Sequence, residues 1–175
     1  MKRSRKLIIN LALIFILLLG LYYFGGFYVS KQQCVLETLR GLYGTETREV
    51  MELRQGNYIA TLMADEEGST FSIVGTKKIG PLYRTASSSI GISTETEEVL
   101  KISGMSGSAY GFVVYLHRKD KAVAQVEVQL ENGETFILEE WQEDFTGYMR
   151  ENHEWESGIY RAYDADGELL GEVYY

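Results

Sequence analysis

The side chains best suited to chemistry are few and scattered. His117 and His153 are the only histidines, and a zinc site or a serine-histidine-aspartate relay would need one of them to meet partners from distant parts of the chain. Each reads as a surface histidine. Ser103-Gly104-Met105-Ser106-Gly107-Ser108 looks like a nucleophile elbow, but the second glycine of G-x-S-x-G falls on Ser108. It reads instead as a Gly/Ser turn between strands. Asp164-Ala165-Asp166-Gly167-Glu168 opens with the alternating oxygens of a calcium loop, yet the twelfth position, where a bidentate Glu belongs, is Tyr175. Asp-Gly is also ordinary hairpin chemistry.

Two further groups have binding potential. Glu139, Glu140, Glu143 and Asp144 surround Trp141 and could hold a cation, a basic ligand or the paired carboxylates of a hydrolase. Two acids make a glycosidase only at a defined separation, so the plain expectation is a solvated acidic face. Tyrosine occurs 13 times, and its amphipathic ring suits interfaces and carbohydrate-like ligands. It equally suits strands, where the ring covers the sheet and the hydroxyl stays wet. No catalytic, cofactor-binding or metal-ligating residue is assigned, and no cofactor is expected.

Charge is distributed unevenly. Lys2, Arg3, Arg5 and Lys6 precede the first apolar stretch, whereas all 25 acids and 13 of the 17 basic residues follow residue 30, so that part carries -12. Such a surface repels nucleic acid and anionic head groups, and nucleic acid is excluded as a partner. Cys34 is the sole cysteine, which rules out an intramolecular disulfide. The residues before it, Ser30, Lys31, Gln32 and Gln33, are polar, so a lipid-attachment signal is excluded and the thiol is expected near a membrane surface.

That expectation comes from residues 7–29, 23 residues without a charge, of which 15 are Leu, Ile, Phe or Val. A helix of this length covers a hydrocarbon core of about 30 Å. The basic cluster at its start predicts a signal anchor: residues 1–6 a cytoplasmic tail, 7–29 a transmembrane helix in the lipid bilayer, and the rest outside the cell. No A-x-A-like cleavage site follows Leu19, and Leu21, Tyr22, Tyr23, Phe24, Phe27 and Tyr28 suit an interfacial belt.

Beyond it, Val35, Leu36, Leu39, Leu42 and Tyr43 form the stripe of an amphipathic helix over about 31–43, ending near Gly41 and Gly44. Short apolar runs then alternate with the turn signals Gln55-Gly56-Asn57, Glu66-Glu67-Gly68, Asn132-Gly133 and Asp166-Gly167, as in antiparallel hairpins. Residues 122–130 alternate most clearly, and with Tyr110, Phe112, Val114 and Leu116 before and Phe136 and Leu138 after they predict a three-stranded meander. A last hairpin runs out from Ile159 to Tyr163 and back from Leu169 to Tyr175. The Ser/Thr-rich stretch from Thr85 to Glu98 reads as a loop or seam. The expected fold class is therefore α+β, mostly antiparallel, with a helix plus a small sheet over 31–95 and a β-sandwich-like module over 96–175.

This layout, ending in Ile159-Tyr160-Arg161-Ala162-Tyr163-Asp164-Ala165-Asp166-Gly167, resembles uncharacterised signal-anchored envelope proteins of Gram-positive bacteria. The C-terminal part resembles small bacterial immunoglobulin-like sandwiches without their cysteines. The resemblance implies a cell-envelope address. The functional expectation is a membrane-tethered, non-enzymatic module binding an envelope protein or wall component. The alternatives are an envelope hydrolase built on paired carboxylates, or a sensor coupled through the anchor.

Overall fold

The computed structural model describes residues 2–40, 47–107, 111–150 and 157–175, apart from the side chains of 2–5, 21 and 23. Two helices, α1 (Lys2–Gly25) and α2 (Lys31–Arg40), flank a two-residue strand β1 (Phe27–Tyr28). Eleven strands follow: β2 (Thr47–Gln55), β3 (Tyr58–Asp65), β4 (Thr70–Ile79), β5 (Leu82–Ser93), β6 (Leu100–Gly107), β7 (Gly111–Arg118), β8 (Gln125–Leu130), β9 (Thr135–Leu138), β10 (Phe145–Arg150), β11 (Gly158–Tyr163) and β12 (Leu169–Tyr174). Every pairing is antiparallel. The α+β class with mostly antiparallel sheet is the observed one.

The signal anchor is corrected. The charge-free run does not continue as one helix to residue 29: α1 ends at Gly25, Gly26 takes φ +61°, and Phe27 and Tyr28 pair with Arg84 and Tyr83 of β5. Among the described residues no helix is long and apolar enough to cross a membrane. The transmembrane assignment of 7–29, the bilayer as partner, the cytoplasmic N-terminus with an exterior domain, and the envelope tether are not upheld.

Helix α2 starts at an N-cap, where the Gln33 amide donates to Ser30 Oγ at 3.1 Å. Its buried side chains are Cys34, Val35 and Leu39, while Leu36 stays 41% exposed, so the apolar stripe is rotated from the expected one. Gly41, Leu42, Tyr43 and Gly44 lie outside the described residues. The stripe packs with Met63, Val74 and Ile90 on one face of a five-stranded sheet A, ordered β1-β5-β4-β3-β2.

Two more sheets complete the stack. Sheet B has the order β10-β7-β6, and sheet C the order β12-β11-β8-β9. Because side chains alternate across a strand, β7 serves both neighbours: Val113 and Tyr115 join Ala60, Leu62, Phe71 and Ile73 of sheet A, while Phe112, Val114 and Leu116 join Val126, Val128, Tyr160 and Val173 of sheet C. The layers therefore run α2, A, B, C. The expected meander of 110–116 with 122–130 and 136–138 is corrected accordingly: β7 belongs to sheet B, whereas β8 and β9 pair in sheet C. Tyr110 lies outside the described residues.

The expected loop at Thr85 to Glu98 is largely strand, since β5 extends to Ser93. Its low apolar content misleads because hydroxyls satisfy one another there. Thr38 Oγ1 donates to the Cys34 carbonyl at 2.8 Å, so its 2.7 Å contact with Thr85 Oγ1 makes Thr85 the donor, and the Cys34 thiol at 3.4 Å donates to Thr85 in turn. Cys34 is wholly buried, not at a surface, and burial raises its thiol pKa despite the Thr85 contact that lowers it. A disulfide-exchange reagent such as dithionitrobenzoate is expected to leave the native thiol untouched and to titrate it fully once urea unfolds the chain.

Candidate functional site

Of the acidic run near Trp141, Glu143 and Asp144 are tied up in ion pairs, whereas Glu139 and Glu140 are exposed. Glu143, at the tight turn before β10, holds φ 56° and meets both terminal nitrogens of Arg48 from β2, with Nη2 to Oε2 at 2.7 Å. Arg118 donates from Nε to Asp144 at 3.1 Å and from Nη2 to the Glu143 carbonyl at 3.0 Å, and its guanidinium lies 4.7 Å over the Trp141 ring. Trp141 Nε1 donates to the Ala124 carbonyl at 2.8 Å. Arg48 holds the Glu143 carboxyl below its ordinary value, the reverse of what a general acid needs. This is a clasp joining sheet A to sheet B, and it takes Glu143 and Asp144 out of the four acids of the hydrolase reading.

The remaining sequence candidates are also structural. His117 lies one residue before the end of β7 with its ring 4.7 Å from that of Phe145, and burial lowers its pKa, so it is neutral at pH 7. Its Nδ1 is buried with no hydrogen-bond partner among the described residues. His153 and Ser108 lie outside those residues. Ser103 and Ser106 sit within the continuous strand β6, with no elbow between them. Asp164 Oδ1 accepts from the Asp166 and Glu168 amides at 2.9 and 2.8 Å, and Gly167 takes φ 82°, so the calcium-like segment is a hairpin turn closed on its own backbone. Among the described residues no group of His, Cys, Asp and Glu is disposed to hold a metal ion.

Tyrosine hydroxyls join the layers. Tyr115 donates to the Ala60 carbonyl at 2.8 Å across sheets B and A. Tyr148 and Tyr160 share a buried 2.7 Å contact across B and C, and Tyr175 accepts the Gly104 amide of β6 at 3.0 Å. A second polar tie anchors α2, where Lys31 reaches Glu49 at 2.8 Å and also meets Glu52 of β2. Burial would raise the Glu52 carboxyl, but hydrogen bonds from Lys31 and Arg54 outweigh it and hold the group below its ordinary value. Such a group contributes stability that is present above the unfolded carboxyl value of about 4.3 and lost as pH falls through the folded one. Glu52→Gln is therefore expected to flatten the acid side of a pH series of urea midpoints, leaving a smaller decline below about pH 4.3 than in the parent.

A concave surface lies at the end of sheet C, a cleft of about 580 Å³ where the β8–β9 turn meets the start of β11 and the end of β12. Its backbone rim is closed by hydrogen bonds: Gly158 and Tyr175 exchange both amide-carbonyl bonds, at 2.7 and 3.0 Å, and Glu131 donates to the Ser157 carbonyl at 3.1 Å. Ile159 and Tyr174 give it apolar surface, and Gln129, Glu131 and Ser157 give it polar groups. Tyr174 is 72% exposed.

Beside the cleft lies the outer face of sheet C, whose register sets Tyr174, Ile159, Gln129 and Thr135 in one row and Glu172, Arg161, Glu127 and Ile137 in the next. Arg161 donates to Glu172 at 2.6 Å and to Glu127 at 2.8 Å, and Tyr174 donates to Glu172 at 2.7 Å. The Tyr174 hydroxyl and then the Arg161 guanidinium lower the Glu172 pKa, so one cation is flanked by two carboxylates. Sequence reading assigned no site here, although Ile159, Tyr174 and Tyr175 stood in its last hairpin. Three segments far apart in the chain had to be brought together first.

Compared with known protein families, curated proteins and solved structures, the chain finds no match.

Proposed function

We propose that the chain is a non-catalytic binding module whose ligand occupies the cleft at the end of sheet C. The observation that carries this reading is the cleft itself. Its volume falls within the roughly 300–1,000 Å³ typical of ligand sites. It joins an exposed aromatic ring to a backbone rim already closed by hydrogen bonds, so binding costs little ordering. Catalysis has weaker support, because Glu143 and Asp144 are committed to Arg48 and Arg118. A net charge of -8 favours neutral or cationic ligands over anionic ones.

The test is a fragment screen read by amide chemical shifts on the full chain. Hits are expected to move the resonances of Ile159, Ser157 and Tyr174 together. Tyr174→Ala should weaken those hits about tenfold, the loss of roughly 1.4 kcal/mol of aromatic contact. The melting temperature should stay close to the parent value, since so exposed a side chain contributes within about 0.5 kcal/mol to stability. Hits that ignore the cleft, or a Tyr174→Ala protein that binds them as well as the parent does, would defeat the reading.

A further inference from the structure

We infer that the ligand is an extended polypeptide segment that adds to the open edge of β12 and carries a cationic residue opposite Glu172. This rests on the binding reading above and names the chemistry of its occupant. Gly158 and Tyr175 form a doubly hydrogen-bonded pair, and such pairs alternate with non-bonded ones along an antiparallel ladder. Tyr160 with Val173 is therefore the next bonded pair, and Glu172 and Tyr174, opposite Arg161 and Ile159, aim their N–H and C=O groups away from β11. Among the described residues strand β12 is the last strand of sheet C, so these four groups face its open edge.

The side chains define what fits. Glu172 and Tyr174 lie on the outer face, and Leu170, the residue skipped where the register shifts between Ala162 and Tyr163, stands 41% exposed beside them. The shift bends the strand and limits pairing to the Tyr174 end, which opens into the cleft. Arg161 neutralises only one of Glu127 and Glu172, leaving that row of the face with a net -1. Pairing with a second copy of this chain about Glu172 would set Glu172 against Glu172, and like charges directly opposite repel. An incoming strand with Lys or Arg at that position and apolar residues two places away gains an opposite charge and covers Leu170 and Tyr174. Strand addition of this kind takes affinity from main-chain hydrogen bonds and specificity from alternate side chains.

The experiment uses the full chain and three acetylated, amidated hexapeptides: valine alternating with threonine around one lysine, the same with glutamate for lysine, and the lysine peptide N-methylated at alternate residues. The lysine peptide is expected to shift the amides of Glu172 and Tyr174, to bind about tenfold more tightly than the glutamate peptide, and to lose binding on N-methylation. Glu172→Gln should abolish the preference for lysine over glutamate. Equal binding of the N-methylated peptide overturns the inference even if the Gln variant misfolds. So does a concentration-dependent dimer of the unliganded chain that protects the same two amides. Failure of every peptide while fragments still fill the cleft removes strand addition and leaves the binding reading. Failure of both removes both.

Discussion

Replacing Tyr115 with alanine is expected to lower the unfolding free energy by about 3–5 kcal/mol, the range for deleting a large aromatic side chain from a packed core. Tyr115 is fully buried on the face of β7 that meets sheet A, among Ala60, Leu62, Phe71 and Phe145. Its ring fills the space between two sheets, and its hydroxyl reaches across the gap to the Ala60 carbonyl at 2.8 Å. Burial drives its pKa far above the ordinary value, so it is a neutral donor at any working pH. Thermal melts should show the midpoint falling by roughly 10 °C, at about 2–4 °C per kcal/mol for a chain of this size. Tyr115→Phe separates the two contributions. It keeps the ring and removes one hydrogen bond, for an expected loss of about 1 kcal/mol. A Phe variant as unstable as the Ala one would locate the stability in the hydroxyl and refute a packing role.

The parts of this fold that were legible in the sequence are those where one face is wet. In β8, Val126, Val128 and Leu130 alternate with Gln125, Glu127 and Gln129, and the last hairpin is bounded by Asp166-Gly167, so period and turn chemistry agree. The same rule misplaces β7. A strand buried on both faces has no polar alternate, and Phe112 to Leu116 could be matched to either neighbour; only the run of five apolar residues signals a middle layer. Strand β5 failed for the opposite reason, since Thr85 and Ser87 are satisfied by Thr38 and Met105 and carry little hydropathy. The anchor reading counted charge-free and apolar residues over 7–29, a tally blind to the helix end at Gly25 and the positive φ of Gly26, after which Phe27 and Tyr28 pair in sheet A. The cleft was illegible because much of its rim is main chain, contributed by segments that meet only after sheet C forms.

Gly147→Ala tests the contact between β10 and β7 directly. Gly147 pairs with Tyr115, and a Cβ there would lie 2.6 Å from the Val114 carbonyl oxygen and 2.8 Å from Tyr115 Cδ1. The first clash is with backbone in the centre of sheet B, which no rotamer relieves. Overpacking of this kind costs about 1–3 kcal/mol, and Gly147→Val should exceed it by adding two methyl groups to the same space. The ring clash and the carbonyl clash are separable by a double-mutant cycle. In a Tyr115→Leu background the ring is gone while the Val114 oxygen remains, so Gly147→Ala is expected to cost less than in the parent but still to destabilise. Urea midpoints of the four proteins measure this coupling. Strict additivity would mean that the glycine is required by the carbonyl alone and that Tyr115 already has room to move, which would contradict its role as the strut between sheets B and A.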